Sequence, residues 1–360
     1  MIDVDFAPEQ VTGSSGGGLT PRVWTVLERV NYWLLEPLRL EIKRRLHVGE
    51  LSLEQDNLAA LKKSQFVLIS TMRNEAFRVP YFLDYYRKLG FEHFIIVDNE
   101  SDDNLREVLK AAPDVTVFAA RGSFKKARFG IAWVNHILSK YAEGKWVLHV
   151  DPDEFLVFPG SDRNSIRDYA GTLVDAGMRA LPAILIDMYS DRPVTENECR
   201  PGQNPLEVCP YFDGDGYVER IENPMSVKHI RGGPRLRLFP DGSDGPMLNK
   251  TPFLLWEKPV AYARCANEVW PPYLSGRSYE RRRGMAGALL HFKFVAEFVD
   301  KVEEELDRNE NCEEYGSYAS ALDRVSTMSF MAPNSTRYED WRSLAVLGLI
   351  SAPDPVKSPV

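Results

Sequence analysis

Hydrophobic and polar positions along residues 66–150 predict strands that alternate with helices. Four short apolar runs have the length and composition of buried strands, and they lie at residues 66–70, 93–97, 115–118 and 146–150. The segments between them carry apolar residues at helical spacing, and they span residues 79–89, 102–111 and 127–141. Strands and helices in this order predict a parallel sheet joined by right-handed crossovers.

The chain before this region predicts a flexible N-terminus followed by a helical extension. Residues 1–20 end in a glycine-rich stretch without apolar periodicity, which is typical of a mobile linker. Residues 21–63 begin with apolar residues at helical spacing, and Pro37 should kink or split that first helix. A second, short helix is expected to follow, with Ser52 as its N-cap and Gln55 as the capping-box partner.

The charge of the chain is distributed unevenly. In total, 44 Lys and Arg stand against 52 Asp and Glu, and this net charge of −8 argues against nucleic acid as a partner. Residues 64–299 are nearly neutral, with 30 basic and 31 acidic groups, whereas residues 300–340 contain 4 basic and 11 acidic groups. The excess negative charge therefore lies in the C-terminal segment 300–360, where we expect acidic helices with a solvated face.

Cysteine usage and hydropathy predict a cytoplasmic protein. The 4 cysteines are too few and too widely spaced for a disulfide framework. The N-terminus lacks the apolar core of a signal peptide, and no run approaches the roughly 18 apolar residues of a membrane span.

Residues 20–47 carry 6 Lys and Arg against 3 Asp and Glu. Peripheral contact of residues 21–47 with the inner face of a membrane, self-association and packing on the main domain all stay open.

Charged and hydrogen-bonding residues directly follow all four predicted strands, in the clusters 71–75, 98–103, 121–128 and 151–154. Ligands of parallel sheets bind beyond the carboxyl ends of the strands, although each cluster alone is also compatible with turn and cap chemistry. No glycine-rich phosphate loop follows the first strand, which disfavours a dinucleotide-binding fold or a P-loop. Asp151 and Asp153 leave a buried strand at alternate positions, and such carboxylates can bind a Mg²⁺ or Mn²⁺ ion that bridges a diphosphate.

Seven runs in order resemble family-two-like glycosyltransferases of the GT-A fold, with the Asp-x-Asp sequence in the fourth run. The runs are 68–75, 94–102, 128–133, 146–158, 233–239, 248–252 and 289–293, and the last three resemble a bacterial branch of the group. The resemblance implies an α/β fold with a Rossmann-like, mostly parallel sheet flanked by helices. It implies a domain at 64–299, with a nucleotide-sugar half at 64–160 and an acceptor half at 161–299.

The same resemblance implies roles for individual residues. Thr71, Arg73 and Glu75 match the loop that faces the nucleotide, and Asp98 or Asn99 matches the position that reads the base of a UDP-type donor. Arg128 matches the basic residue near the donor phosphates. Asp151 and Asp153 match the metal and ribose carboxylates. His291 is the expected further metal ligand, because a neutral imidazole beside two carboxylates suits Mn²⁺ as well as Mg²⁺, and a core histidine is the alternative.

The implied activity is metal-dependent transfer of a sugar from a nucleotide-diphosphate donor, a UDP-sugar in first place, to a hydroxyl of a glycan or glycoconjugate, as in polysaccharide biosynthesis. Inversion requires a base that deprotonates this hydroxyl, and Asp191 and Glu268 are both candidates. Two other classes stay open. A metal-dependent nucleotidyltransferase would normally show a glycine-rich loop after the first strand, and a glycan-binding or scaffold protein would have the same fold without catalysis.

Overall fold

A computed structural model describes residues 26–221, 228–238, 245–275, 286–308, 322 and 326–351. The flexible N-terminus predicted at 1–20 lies outside these residues, as do parts of the acidic segment predicted at 300–360. The described chain is an α/β protein with a nine-stranded central sheet flanked by helices, so the predicted fold class is confirmed. The division into a domain at 64–299 with flanking segments stays a prediction.

Fifteen strands are described: β1 Leu51–Gln55, β2 Phe66–Met72, β3 His93–Asp98, β4 Val115–Ala120, β5 Lys145–His149, β6 Glu154–Val157, β7 Ala180–Asp187, β8 Tyr211–Asp213, β9 Val218–Ile221, β10 Lys228–Arg231, β11 Asn249–Trp256, β12 Ala261–Arg264, β13 Glu268–Trp270, β14 Gly287–His291 and β15 Ser335–Arg337. The described α-helices are α1 Val26–Leu46, α2 Leu58–Lys63, α3 Val79–Leu89, α4 Leu105–Lys110, α5 Ile131–Tyr141, α6 Ile166–Asp175, α7 Gly233–Leu238, α8 Phe298–Arg308 and α9 Trp341–Val346.

The central sheet has the strand order β1-β4-β3-β2-β5-β11-β7-β14-β6. Strands β4, β3, β2 and β5 pair in parallel, as do β7 and β14, while β1, β11 and β6 pair antiparallel to their neighbours. Six of the nine strands therefore run in one direction. Their carboxyl ends lie at one edge of the sheet, together with the amino ends of β6 and β11, and ligands of α/β sheets bind at such an edge.

Helices cover both faces of this sheet. On one face, α3 buries Val79, Phe82, Leu83, Tyr86 and Leu89, which are the apolar positions at helical spacing in the sequence. On the other face, α5 packs with the β12–β13 hairpin in a second apolar cluster. The predicted strands and helices of residues 66–150 are confirmed, except that α4 begins at Leu105 rather than at 102 and α5 begins at Ile131 rather than at 127.

The structure differs from the sequence prediction at two places in the N-terminal extension. The short helix expected at Ser52 is instead β1, which pairs antiparallel with β4 at the edge of the sheet. Gln55 does not cap a helix there, because its side-chain amide donates to the carbonyls of Leu109, Ala112 and Val115 and fixes the turn before β4. Helix α1 also continues through Pro37 without being split. Within the described ranges, none of the helices combines the length and apolar character that a membrane span requires.

Candidate active site

A cleft of about 900 Å³ opens at the carboxyl edge of the central sheet. Seven of the residues predicted from the sequence line it together: Thr71, Arg73, Glu75, Asn99, Asp151, Asp153 and His291. They come from four different segments that follow or end β2, β3, β5 and β14. The parallel register brings the ends of these strands to the same edge, as expected for clusters that directly follow buried strands.

Strand pairing places His291 beside the Asp-x-Asp turn. His291 ends β14, where its register partners are Asp187 on β7 and Glu154 on β6. The backbone N–H of Phe292 donates to the carbonyl of Asp153 at 2.8 Å, which holds the turn between β5 and β6 against β14. His291 and the turn that carries Asp153 are far apart in the chain, and the antiparallel pairing of β14 with β6 brings them together.

Asp153, His291 and Asp187 form a continuous row of side chains. His291 Nε2 lies 3.4 Å from Asp153 Oδ2, and its Nδ1 lies 2.6 Å from Asp187 Oδ1. Burial lowers the pKa of His291, but the two carboxylates outweigh burial and raise it to about 9. Burial likewise raises the pKa of Asp153, and His291 outweighs that effect, so that the pKa of Asp153 lies well below its ordinary value.

Asp187 is itself fixed by a cation. Arg235 of α7 donates from Nε to Asp187 Oδ2 at 2.7 Å, and both side chains are almost fully buried. Burial raises the pKa of Asp187, whereas Arg235 and His291 together lower it to about 2. Ionised Asp187 therefore holds the imidazole ring of His291 with Nε2 directed toward Asp153, the arrangement that orients many metal-bound histidines.

The donor set fits a divalent cation only in part. Among the described residues, no group of three or more His, Cys, Asp and Glu side chains could hold a metal ion. Asp153 and His291 supply two donor atoms 3.4 Å apart, provided that a bound ion displaces the proton from His291 Nε2, and the side chain of Asp151 in the same turn is 57% exposed. Mg²⁺ commonly binds through one or two carboxylates and takes its other ligands from substrate phosphates and water. The pair fits an ion that is completed by a phosphorylated substrate.

A buried ion pair lies beneath the Asp-x-Asp turn. Lys250 of β11 donates to Glu154 Oε1 at 2.6 Å and lies 3.7 Å from Asp151 Oδ2. Burial lowers the pKa of Lys250, but Glu154 and Asp151 outweigh burial and keep the pKa above its ordinary value. Glu154 Oε2 accepts in turn from the backbone N–H of Asp151 at 3.2 Å. The pair holds the turn that carries both predicted carboxylates.

The nucleotide half of the cleft contains buried polar atoms that lack a partner among the described residues. Thr71 Oγ1 and His149 Nδ1 are buried and make no hydrogen bond within the described parts of the chain, and both residues line the cleft. Asn99 also lines it, and its amide donates to the carbonyl of Ala120 at 3.0 Å. Asp98 is fully buried behind the cleft, where it accepts from Arg106 Nε at 2.7 Å.

Helix α8 closes one side of the nucleotide half. Its Glu304 accepts from Arg73 Nε at 2.8 Å, and its Lys301 donates to Glu75. Arg78 Nε also lies 3.0 Å from the Glu75 carboxylate. The acidic C-terminal segment therefore contacts two of the three residues predicted to face the nucleotide.

Three other predicted residues lie outside the cleft lining. Arg128 is 3.7 Å from Glu36 of α1 and has a positive φ of 56°, as does the cleft residue Phe129 with 57°. Asp191 lines a separate pocket of about 340 Å³. Glu268 begins β13 and lies 3.2 Å from His229 Nε2, directly after residues 264–267, which do line the cleft.

The sequence interpretation missed Asp187 and Glu304 as parts of the site, whereas Arg235 and Lys250 lie in the runs 233–239 and 248–252 that carry the resemblance. Asp187 carried a signal that could have been used, because it directly follows an apolar run, as the other strand-end residues do. Glu304 carried no such signal, since it lies on a helix that reaches the site only through tertiary packing.

No protein-family model matches the chain. A glycosyltransferase family 92 protein of Oryza sativa subsp. japonica is 29% identical over 113 residues, which are 30% of this chain and 19% of that protein. The chain thus spans about a fifth of the length of this relative. The similarity is partial, and it supports a glycosyltransferase.

Solved structures show only weak likeness. A 4-diphosphocytidyl-2C-methyl-D-erythritol synthase is 16% identical, with 54% of this chain and 74% of that chain covered and a TM-score of 0.26. Glucosyl-3-phosphoglycerate synthase from Mycobacterium tuberculosis, in complex with Mn²⁺, UDP and glucosyl-3-phosphoglycerate, is 16% identical, with 39% and 49% covered and a TM-score of 0.23.

Proposed function

We propose that this protein is a metal-dependent glycosyltransferase that moves a sugar from a nucleotide-diphosphate donor to a hydroxyl of a glycan or glycoconjugate. The favoured donor is a UDP-sugar. The observation that carries the proposal is the pair of Asp153 and His291, 3.4 Å apart at the open edge of the sheet. Asp187 orients the histidine from behind, at 2.6 Å from Nδ1. The partial similarity to a glycosyltransferase supports the same class.

Asp153 and His291 would hold the metal ion, with Asp151 beside them in the same turn. A bound Mn²⁺ or Mg²⁺ supplies positive charge that neutralises the leaving diphosphate. Arg78 and Lys293 add to this positive charge, since both line the cleft and both help to lower the pKa of Asp153. Such placed cations are needed because residues 64–299 are nearly neutral in sum, with 30 basic and 31 acidic groups.

The nucleoside of the donor would bind between the ends of β2 and β3. Thr71 offers a buried hydroxyl there that has no partner in the described parts of the chain, and Asn99 lines the cleft. We assign base recognition to Asn99 and a supporting role to Asp98, which accepts from the backbone N–H of Ser101 at 2.9 Å and so shapes the loop. Arg73 completes this half once the nucleotide competes with Glu304 for its guanidinium group.

We favour Glu268 over Asp191 as the base that deprotonates the acceptor hydroxyl in an inverting displacement. Residues 264–267, which lead directly into Glu268, line the same cleft as Asp153 and His291, whereas Asp191 lines a different pocket. His229 Nε2 lies 3.2 Å from the Glu268 carboxylate and can stabilise it in the ionised form.

The proposal is tested on the full chain with a panel of nucleotide-sugars, by measuring nucleotide release with and without Mn²⁺. We expect metal-dependent release from a UDP-sugar, and a loss of at least about a hundredfold in Asp153→Asn, because the remaining site has one protein ligand for the ion. Asp84→Asn is the matched control, since Asp84 is an exposed carboxylate on α3 that pairs with Lys88.

Full activity of Asp153→Asn would refute the metal site. Turnover of nucleoside triphosphates without turnover of any nucleotide-sugar would identify a nucleotidyltransferase instead. Metal-dependent stabilisation by UDP, seen as a rise in melting temperature without turnover of any donor, would identify a binding protein.

A further inference from the structure

Helix α1 exposes an apolar face opposite to the face that packs on the protein. Its inner face is fixed by Leu40, which is 6% exposed, and by an edge contact between the rings of Trp33 and Trp270 at 4.8 Å. The outer face carries large apolar side chains at a spacing of four residues, and the exposed fractions are 69% for Leu34, 56% for Leu38, 48% for Ile42 and 67% for Leu46. Positions four apart lie on one side of an α-helix.

Basic residues border this outer face. The side chains of Arg39 and Arg45 are 54% and 75% exposed, and Lys43 is also exposed. Between residues 30 and 46, where the structure describes the side chains, Glu41 is the one carboxylate outside the buried face. It already accepts from Arg44 and Arg45 at 2.7 and 2.6 Å. A chain with a net charge of −8 thus presents a cationic, apolar helix at this position.

We propose that the outer face of α1, defined by Leu34, Leu38, Ile42 and Leu46 with Arg39 and Lys43 beside it, docks onto a membrane surface that contains anionic lipids. A helix of this kind lies in the plane of the interface, with its apolar side chains among the acyl chains and its cations at the lipid headgroups. The length of α1, 21 residues, is sufficient for such contact along its whole outer face.

Charge distinguishes lipid from a second copy of the chain as the occupant. A symmetric dimer on this face would bring the cations of two α1 helices together. Between residues 30 and 46 of each helix, the one outer carboxylate, Glu41, is already bound within its own helix, so that this part of α1 in the other copy offers no anionic partner to Arg39 and Lys43. A layer of anionic headgroups supplies such partners along the whole helix.

Docking through α1 would also orient the candidate active site. The helix contacts the β12–β13 hairpin through Trp270, and Arg264 at the end of β12 lines the cleft. Glu36 on the buried face of α1 lies 3.7 Å from Arg128. The helix is therefore attached to the wall of the cleft, and a docked α1 holds that wall at the membrane.

The test measures co-sedimentation of the full chain with vesicles of phosphatidylcholine, with and without phosphatidylglycerol, at low and high salt. We expect binding to the anionic vesicles that weakens with salt. The double variant Leu34→Asp/Leu38→Asp should lower the vesicle partition coefficient by more than about tenfold, because two apolar side chains no longer enter the bilayer. Lys43→Glu should lower it by about fivefold or more. Val346→Asp on α9 is the matched control, since Val346 is 87% exposed and α9 packs in a different apolar cluster from α1.

The readout does not depend on transferase activity, and substitutions at such exposed positions leave the core intact. Three results would overturn the proposal: the absence of binding to anionic vesicles, equal binding by Leu34→Asp/Leu38→Asp and the natural chain, or a dimer in light scattering that the double variant converts to monomers without any lipid binding. The last result would assign the face to a second copy of the chain.

Discussion

Replacing Lys250 by methionine should strongly destabilise the protein, because the change leaves a buried carboxylate without its cation. Lys250 Nζ lies 2.6 Å from Glu154 Oε1, and the side chains are 8% and 1% exposed. Breaking a buried pair by removing one partner costs about 3–5 kcal/mol. Methionine has a similar length to lysine, so the loss comes from charge rather than from a cavity. We expect Lys250→Met to lower the free energy of unfolding by this amount near neutral pH.

The cost should depend on pH in a defined direction. Burial already raises the pKa of Glu154 above its unfolded value of about 4 in the natural chain, although Lys250 opposes this, and removal of the cation in Lys250→Met raises the pKa further. The folded variant then holds a proton that the unfolded chain releases, so that its stability deficit grows as the pH rises and shrinks as the pH falls. The deficit should therefore be larger at about pH 8 than at about pH 5.

The double variant Glu154→Gln/Lys250→Met provides the matched control. It removes both charges, and the side-chain carbonyl oxygen of the introduced glutamine can still accept from the backbone N–H of Asp151. We expect it to be more stable than Lys250→Met alone, because no unpaired charge remains in the interior. Urea unfolding followed by tryptophan fluorescence gives the free energies of all three proteins. A cost below about 1 kcal/mol for Lys250→Met at about pH 8, or a double variant less stable than the single one, would refute this reasoning.

Two further predictions concern pH and nucleotide affinity. Burial lowers the pKa of His93 to about 4. Below about pH 6.5, the unfolded chain therefore binds a proton at His93 that the folded chain does not bind until the pH approaches about 4. Between about pH 6.5 and 4, the free energy of unfolding of the natural chain should fall by up to about 3 kcal/mol more than that of His93→Phe, as measured by urea unfolding. Parallel pH profiles of the two free energies would contradict this. Glu304→Gln should tighten UDP binding by up to about fivefold in calorimetry, because Arg73 loses Glu304 as its anionic partner. The control Glu303→Gln changes an exposed neighbour and should bind UDP as the natural chain does. Equal UDP affinities of Glu304→Gln and the natural chain would show that the nucleotide does not use Arg73.

Much of the nucleotide half could be predicted from local pattern. The apolar runs of residues 66–150 became β2, β3, β4 and β5, because a continuous apolar run of this length fits a strand buried on both faces. The helical spacing in residues 79–89 identified the five side chains that α3 buries. Strand ends then indicated the candidate site, since parallel strands bring their carboxyl ends to one edge.

Local pattern failed where a segment's partner decided its structure. Residues 51–55 matched a helix start, but they form an edge strand because the free edge of β4 offers hydrogen bonds to an extended chain. Asp98 and Asn99 were equivalent in the sequence, and the structure pairs the first with Arg106 behind the cleft, while the second, although also buried, lines the cleft. Arg128 likewise contacts α1, which no spacing in the sequence indicates.

The sequence by itself determined the α/β class, the strands of residues 66–150 and the residue types at their ends, because burial and spacing along one segment depend on local composition. The tertiary structure decided which of these residues meet. Antiparallel pairing of β6 with β14 placed His291 at Asp153, parallel pairing of β7 with β14 placed Asp187 behind the histidine, and β11 brought Lys250 beneath the turn. Such contacts join residues more than thirty positions apart, and they depend on the packing of whole strands rather than on any local pattern.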